Sequence, residues 1–394
     1  MKNQTSLANK RLSTLVESLD IPPSYYHRAK DRYSSLGDWL HRARSRVAHL
    51  DPAVYPQGSF RYGTVIRPLL ETEEYDLDLV CELRDLDKLQ MPQRDLKLQV
   101  GSELKAYATA QGLKEPVEEK KRCWRLIYAD TVSFHIDALP AVHEDPQSIE
   151  QIQHVLSRTG VSPELVQCAI AITDRDHPRY DQICRDWLKS NPRGFARWFE
   201  GKMRAVAQKR METLVAKRVY ASVDDVPQYE WKTPLQRAIQ IMKRHRDVMF
   251  SKMPSLKPIS MILTTLAAHS YQGEEDLYEA ITNVVRRMPS FVSDRTPRVP
   301  NPVNPVEDFA DKWANDSALE ENFWRWCAQI NADLTALAGS LTSDQVGDRL
   351  RRAFGVELSS EKCRALSSES RIVQVSSPAI ITAAARPWAH NEQT

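Results

Sequence analysis

Residues 75 to 83 read YDLDLVCEL, an alternation that only a half-buried strand accommodates over nine residues. Tyr75, Leu77, Leu79, Cys81 and Leu83 fall on one face, and Asp76, Asp78, Val80 and Glu82 on the other. The chain must therefore build a sheet with one packed face and one acidic face. The same pattern sets two carboxylates roughly 7 Å apart along one strand. Their charges repel unless a cation or a salt-bridging partner stands between them. On its own, D-x-D is also the pattern of a solvated sheet face.

The surrounding sequence places this strand. Upstream, residues 24 to 50 repeat apolar positions at spacings of three and four, predicting one long helix between Pro22-Pro23 and Asp51-Pro52. A helix is expected over 94 to 111. CWRLIYADTVSFHIDALPAV then reads as a hairpin turning near Ala129-Asp130, with Val132, Phe134 and Ile136 on one face, Ser133, His135 and Asp137 on the other, and Pro140 ending the strand. From about residue 145 the periodicity is helical. Residues 193 to 218 form a basic amphipathic helix, Thr233-Pro234 caps a helix running to about Phe250, and Pro258 starts another. The stretch from Met288 to Pro305 carries five prolines and reads as a connecting loop. Helices are expected in PVEDFADKWAND, ALEENFWRWCAQINADLTALA and SDQVGDRLRRAFG, and a mobile tail after about Leu366.

Strands and helices early, then helices late, make an α+β fold. With 394 residues there is room for more than one lobe. No apolar run approaches the roughly 20 residues that span a bilayer, and MKNQTSLANKRLSTL lacks the apolar core of a secretory signal, so a cytoplasmic protein is expected. Six cysteines without a C-x-x-C pair suggest neither a disulfide framework nor a zinc site; reduced thiols are expected. A net charge of +2 gives no global case for nucleic-acid binding.

If the strands holding Asp76 and Asp78 and holding Asp137 are neighbours, three carboxylates converge. Magnesium suits such a site, because it favours carboxylate oxygens together with substrate phosphates. Two ions about 3.5 to 4 Å apart would serve a phosphoryl displacement. Upstream, Gly58 allows close backbone approach to a ligand, and Ser59 with nearby N–H groups can hold phosphate oxygens.

G-S, a spacer, D-h-D-h and a distant h-D on a second strand resemble the signature of polymerase-β-like nucleotidyltransferases. The spacer of 16 residues between Ser59 and Asp76 is longer than the short superfamily template. It is similar to the branch holding cyclic GMP-AMP synthase and the oligoadenylate synthases. SNPRGFARWF, TPLQRAIQIMKRHRD with KPISMILTTLAA, and NPVNPVEDFADKW resemble the bacterial cyclic-oligonucleotide synthases of antiphage defence, the CD-NTases. The resemblance runs from about residue 24 to 355.

It implies a bilobal fold: a mixed-sheet catalytic lobe, a long N-terminal spine helix bracing both lobes, and a C-terminal helical lobe. Expected boundaries are 1–50 for the N-terminal helices, 51–218 for the catalytic core, 219–366 for the helical lobe and 367–394 for the tail. It implies that Asp76, Asp78 and Asp137 are catalytic and hold two Mg²⁺ ions, with Mn²⁺ as substitute. Gln57, Gly58 and Ser59 would cradle the donor triphosphate, and Lys243 and Ser260 would meet its phosphates.

Substrates would be ATP and a second nucleoside triphosphate (GTP, ATP or a pyrimidine), and the product a cyclic di- or trinucleotide messenger for a separate effector. A regulatory protein or ubiquitin-like conjugation at the C-terminus occurs among relatives. A monomer that needs neither membrane nor nucleic acid is expected. Linear oligoadenylate synthesis, RNA tailing, and a silent binding protein on the same fold stay open. Arg244 and Arg246 read as surface or salt-bridging groups, His135 as a hydrogen-bonded half-buried histidine, and Trp187, Trp198, Trp324 and Trp326 as core.

Overall fold

The computed structural model describes residues 2–70, 74–128, 134–216 and 231–368. The chain begins with α1 (Lys2–Leu19) and α2 (Pro23–His41), then β1 (Pro52–Pro56), α3 (Gly58–Tyr62), β2 (Tyr75–Leu83), α4 (Gln93–Ala110), β3 (Glu118–Glu119), β4 (Trp124–Tyr128) and β5 (Phe134–His143). There follow α5 (Pro146–Leu156), α6 (Pro163–Val166), β6 (Ile170–Ile172), β7 (Leu188–Ser190), α7 (Pro192–Ala216), α8 (Pro234–Met249), α9 (Ser260–Ser270) and α10 (Leu277–Arg287). A small hairpin, β8 (Pro300–Asn301) and β9 (Asn304–Asp308), precedes α11 (Ser317–Ala338), α12 (Ser343–Phe354) and α13 (Ser360–Leu366).

One mixed sheet carries the order β1-β2-β5-β4-β3, with β6 on the far end of β5 and β7 beside β6. β2 and β5 run parallel; the other pairs are antiparallel. The apolar face of β2 (Leu77, Leu79, Cys81, Leu83) is buried against Leu36 and Leu40 of α2 and Leu96, Val100 and Leu104 of α4. Each such side chain contributes about 1.5–3 kcal/mol by leaving water. The fold is thus α+β and bilobal: a second, larger core gathers α1 and α7–α13, with Leu12, Phe199, Ile239, Leu266 and Trp326 among its fully buried residues.

The expected spine helix over 24 to 50 is α2, but it does not bury its apolar face in both cores. α1 puts Leu12, Leu15 and Leu19 into the helical core, whereas α2 puts Ala29, Leu36 and Leu40 into the sheet core. Between them Asp20 accepts from Lys232 at 2.5 Å and Arg237 at 2.6 Å. α2 also stops at His41, where the next residue turns extended, so that Val47 and Leu50 can tuck into the sheet core.

Pro140 does not end its strand. β5 continues to His143, because Pro140 stands where β4 has finished at Ala138 and β6 begins at Ala141, and the missing N–H falls in that changeover. The helical region after 145 also contributes β6 and β7 to the sheet.

Pro258 precedes its helix by two residues. The proline-rich stretch holds β8, and PVEDFADKW is β9 plus a 3₁₀ turn (Asp311–Ala314) rather than a helix. Asn304 donates to the Lys189 carbonyl of β7, which pins β9 alongside the sheet. Thr233 caps α8 as expected, and with Gln236 it forms a capping box. Trp187, Trp198 and Trp326 are buried, but Trp324 is 37% exposed. All six cysteines are free. The turn near Ala129-Asp130, residues 217–218 and the tail beyond Ser368 lie outside the described residues.

Candidate active site

The parallel pairing of β2 with β5 sets Asp78 opposite Asp137 and Asp76 opposite His135. On the other side of β5, β4 sets Arg125 opposite Asp137. Paired residues share a sheet face, so three carboxylates, a histidine and a guanidinium occupy one patch. Arg125 grips Asp137 with both arms, Nε to Oδ1 and Nη2 to Oδ2, each at 2.7 Å, and its Nη2 lies 3.9 Å from Asp76 Oδ1. His135 is paired with Glu74 through Nε2 and lies 3.6 Å from Asp76 through Nδ1.

Asp78 bears the strain of this crowding. Burial, then the charge of Asp137, then that of Asp76 push its carboxyl up to about 7, while Lys243 and Arg125 pull the other way. A divalent cation relieves that repulsion, and carboxylate oxygens are the donors a hard ion takes. The three aspartates therefore fit such an ion in the kind of donor they supply, and they share one sheet face. Among the described residues no three such side chains stand gathered as a ready-made cage; the Asp137 carboxylate is turned onto Arg125 instead.

The Gly-Ser segment is tied directly to this patch. The Gln57 N–H donates to the Asp78 carbonyl at 2.8 Å, so the chain entering α3 lies against the middle of β2. Gly58 has φ 65°, and a Cβ there would collide with Asp78 Oδ2. Only glycine holds the left-handed turn and leaves that carboxylate its room. The Thr64 N–H then donates to the Ser59 carbonyl, closing the loop at 2.9 Å.

Facing the sheet is a helical wall. Lys243 on α8 is buried and donates to the Thr64 carbonyl at 3.1 Å and to its Oγ1 at 3.2 Å. Burial, then Arg246, bring its ammonium down to about 7. Arg244 and Arg246, expected as surface or salt-bridging groups, are both buried; Arg246 does form an ion pair, with Asp247, and Arg244 donates to the Arg67 carbonyl at 2.6 Å. Arg246 donates to the Pro258 carbonyl at 3.1 Å, to Ser260 Oγ at 2.8 Å and to Asp247. Ser260 opens α9, whose first turn has no side-chain cap, so its N–H groups keep their pull on an anion.

These walls enclose a cavity of about 1040 Å³ lined by Ser59, Asp76, Arg125, Lys243 and Ser260, with Tyr75 and Lys257. A smaller one, about 240 Å³, is lined by Gln57, Gly58 and Asp78 together with Ser190, Asn301 and Glu307. Asp137 lines neither, standing behind Arg125.

Arg125, Glu307 and Asn301 were not singled out from the sequence. Arg125 had a signal: in CWRLIY, Trp124, Leu126 and Tyr128 face the core, which leaves Arg125 on the face of Asp137.

Among known proteins, the family model for the nucleotidyltransferase domain of cyclic GMP-AMP synthase DncV-like proteins matches residues 52–140. The c-di-GMP synthase of Roseivirga ehrenbergii is 29% identical over 316 residues, 79% of this chain and 74% of the relative. The cyclic dinucleotide synthase CdnG of Bradyrhizobium diazoefficiens is 25% identical over 366 residues, 87% of this chain and 79% of that one. The structure of the CD-NTase CdnG from the same organism in complex with GTP has a TM-score of 0.64 at 23% identity, covering 88% of this chain and 95% of its own, and shares the fold.

Proposed function

Because this chain belongs to the CD-NTase family and is a nucleotidyltransferase, we propose that it joins nucleoside triphosphates, GTP among them, into a cyclic dinucleotide with Mg²⁺. The observation carrying this reading is the register that faces Asp78 with Asp137 while Gln57 pins the Gly-Ser loop to the same strand. Asp76 and Asp78 would hold both ions and Asp137 would complete one site, and the ions when bound supply charge neutralisation at the phosphates and acidify the attacking hydroxyl. Asp137 accepts the proton of the acceptor ribose hydroxyl as its oxygen bonds to the donor α-phosphorus and pyrophosphate departs. The backbone at Gly58 and Ser59, the Ser260 hydroxyl and the N-terminus of α9 orient the donor phosphates. Lys243 braces that loop from behind and regains full charge when phosphates arrive. A second, equivalent displacement within the linear intermediate closes the ring and releases a second pyrophosphate.

Guanine is favoured by the smaller cavity. Glu307 lines it, fixed by Asn301 at 2.8 Å through Oε2, while Oε1 meets the Ser190 hydroxyl at a longer 3.3 Å. A carboxylate with a spare lone pair accepts from the N1–H and N2–H of guanine and opposes the bare N1 of adenine. The names of the relatives, a c-di-GMP synthase and a GTP-bound CdnG, point the same way. The product would act as a second messenger on a separate effector in antiphage defence, as the family resemblance implies. Among the described residues no helix is long and apolar enough to cross a membrane.

Incubation with α-³²P-labelled nucleotides and Mg²⁺, followed by phosphatase and chromatography, tests the reading beside an Asp76→Asn/Asp78→Asn control. A phosphatase-resistant product that needs GTP and is absent from the control supports it. Only phosphatase-sensitive linear chains would establish the linear synthase instead.

A further inference from the structure

The acidic patch is not left bare. Three aspartates share one sheet face, and among the described residues Arg125 is the lysine or arginine within ion-pair distance of any of them. Its fork on Asp137 has the ideal planar, two-bond geometry, and its side chain is still 25% exposed. Each Asp137 oxygen accepts one of the two bonds along the edge by which a carboxylate would also grip a metal. Arginine and cation therefore compete for one carboxylate edge.

A second carboxylate waits on the other side. β3 pairs with β4 so that Glu118 stands opposite Arg125, just as Asp137 does across β5. Glu118 is 43% exposed and is paired with Lys120. Arg125 thus lies in one row between two acids, one inside the cleft and one at the sheet edge.

We propose that Arg125 is the resident counter-ion of the aspartate cluster: it holds Asp137 until a divalent cation takes that carboxylate, then swings toward Glu118. The inference rests on the reading of Asp76, Asp78 and Asp137 as metal-holding. Arg125 keeps the cluster folded before ions load, and it sets the cation concentration at which the site assembles. It is a positioning residue acting through Asp137.

Mn²⁺ binding without nucleotide, followed by electron paramagnetic resonance or calorimetry, tests this. Arg125→Gln removes the competitor and should bind Mn²⁺ about tenfold more tightly than wild type. Its metal-free form should melt lower, and saturating Mn²⁺ should raise its melting temperature by more than it raises that of wild type. Arg125→Lys, which cannot grip both oxygens, should fall between and serves if the glutamine variant does not fold. Glu118→Gln, lacking the second resting place, should bind Mn²⁺ two- to threefold more weakly. Unchanged or weaker Mn²⁺ binding in both Arg125 variants would overturn the proposal, showing that the arginine merely orients Asp137. Asp78→Asn separates that result from a failure of the underlying reading: if wild type and Asp78→Asn bind Mn²⁺ alike, the aspartates are not the metal site.

Discussion

The two walls of the cleft are both rich in charge, yet they use it differently. On the helical wall, Lys243, Arg244 and Arg246 all donate to main-chain carbonyls, those of Thr64, Arg67 and Pro258. Their charges hold the loop after α3 and the entry to α9 against α8. On the sheet wall, Asp76, Asp78 and Asp137 crowd one another, and one guanidinium serves two of them. The helical wall is satisfied within the protein; the sheet wall is satisfied only when something binds. Charge in a cleft is therefore no guide to chemistry until its internal partners are counted.

Substitutions should separate the walls. Asp78→Asn should cut turnover by at least a thousandfold, since it removes a proposed ligand to both ions. The metal-free protein should nevertheless melt no lower than wild type, because the substitution also removes repulsion from Asp137 and Asp76. A large drop in melting temperature with activity retained would assign Asp78 to the scaffold and erase the contrast.

Arg244→Ala should do the reverse. It strands the Arg67 and Pro68 carbonyls, which accept from its Nη2 at 2.6 and 3.3 Å, in a buried setting. A loss of about 2–4 kcal/mol in urea unfolding is expected, with turnover of the folded fraction reduced far less than by Asp78→Asn. Unchanged stability would mean that the helical wall does not depend on its cations.

The same contrast explains what the sequence disclosed. Strand side chains repeat every two residues, so Asp76, Asp78 and Asp137 declare their shared face within a few neighbours. The helical wall has no such local record. KRHRD looks like a solvated basic run because the loop that buries it, residues 64–68, arrives from about 180 positions earlier. Glu307 was hidden for a related reason: PVEDFADKW has helical spacing, and docking of β9 beside β7 overrides it. α2 reads as a helix bracing both lobes because nothing local says which core an apolar stripe joins: α2 joins the sheet core and α1 the helical one. Docking decides that, and Asp20 with its partners Lys232 and Arg237 fixes the break between them.

Where the walls meet, Gly58→Ala should act on both readouts, less than either change above. The left-handed backbone costs an alanine about 1 kcal/mol, and the new methyl must push the Asp78 carboxylate aside. About tenfold loss of turnover with a destabilisation of about 1 kcal/mol is expected. Wild-type turnover would show that Asp78 has slack on the loop side and that the loop does not set its position.

The effect that needs the finest comparison is a slope in pH, and it comes from the helical wall. Burial brings Lys243 down to about 7, against about 10.4 in an unfolded chain. Below the lower value both states carry the proton, and the cost of burying the charge is constant. Between the two values the unfolded chain binds the proton and the folded chain does not, so stability rises with pH. Urea unfolding at pH 7, 8 and 9 should therefore show wild type gaining on Lys243→Met by about 1 kcal/mol per pH unit; Asp78, whose carboxyl Lys243 holds down, rises further in the variant and adds to the slope in the same direction. A lysine raised by a carboxylate partner would be protonated in both states across this window and would lose ground only above about pH 10. Parallel curves would mean that Lys243 keeps its charge inside the protein. The helical wall would then hold an unrelieved cation as the sheet wall holds unrelieved anions, and the asymmetry between the walls would be one of sign alone.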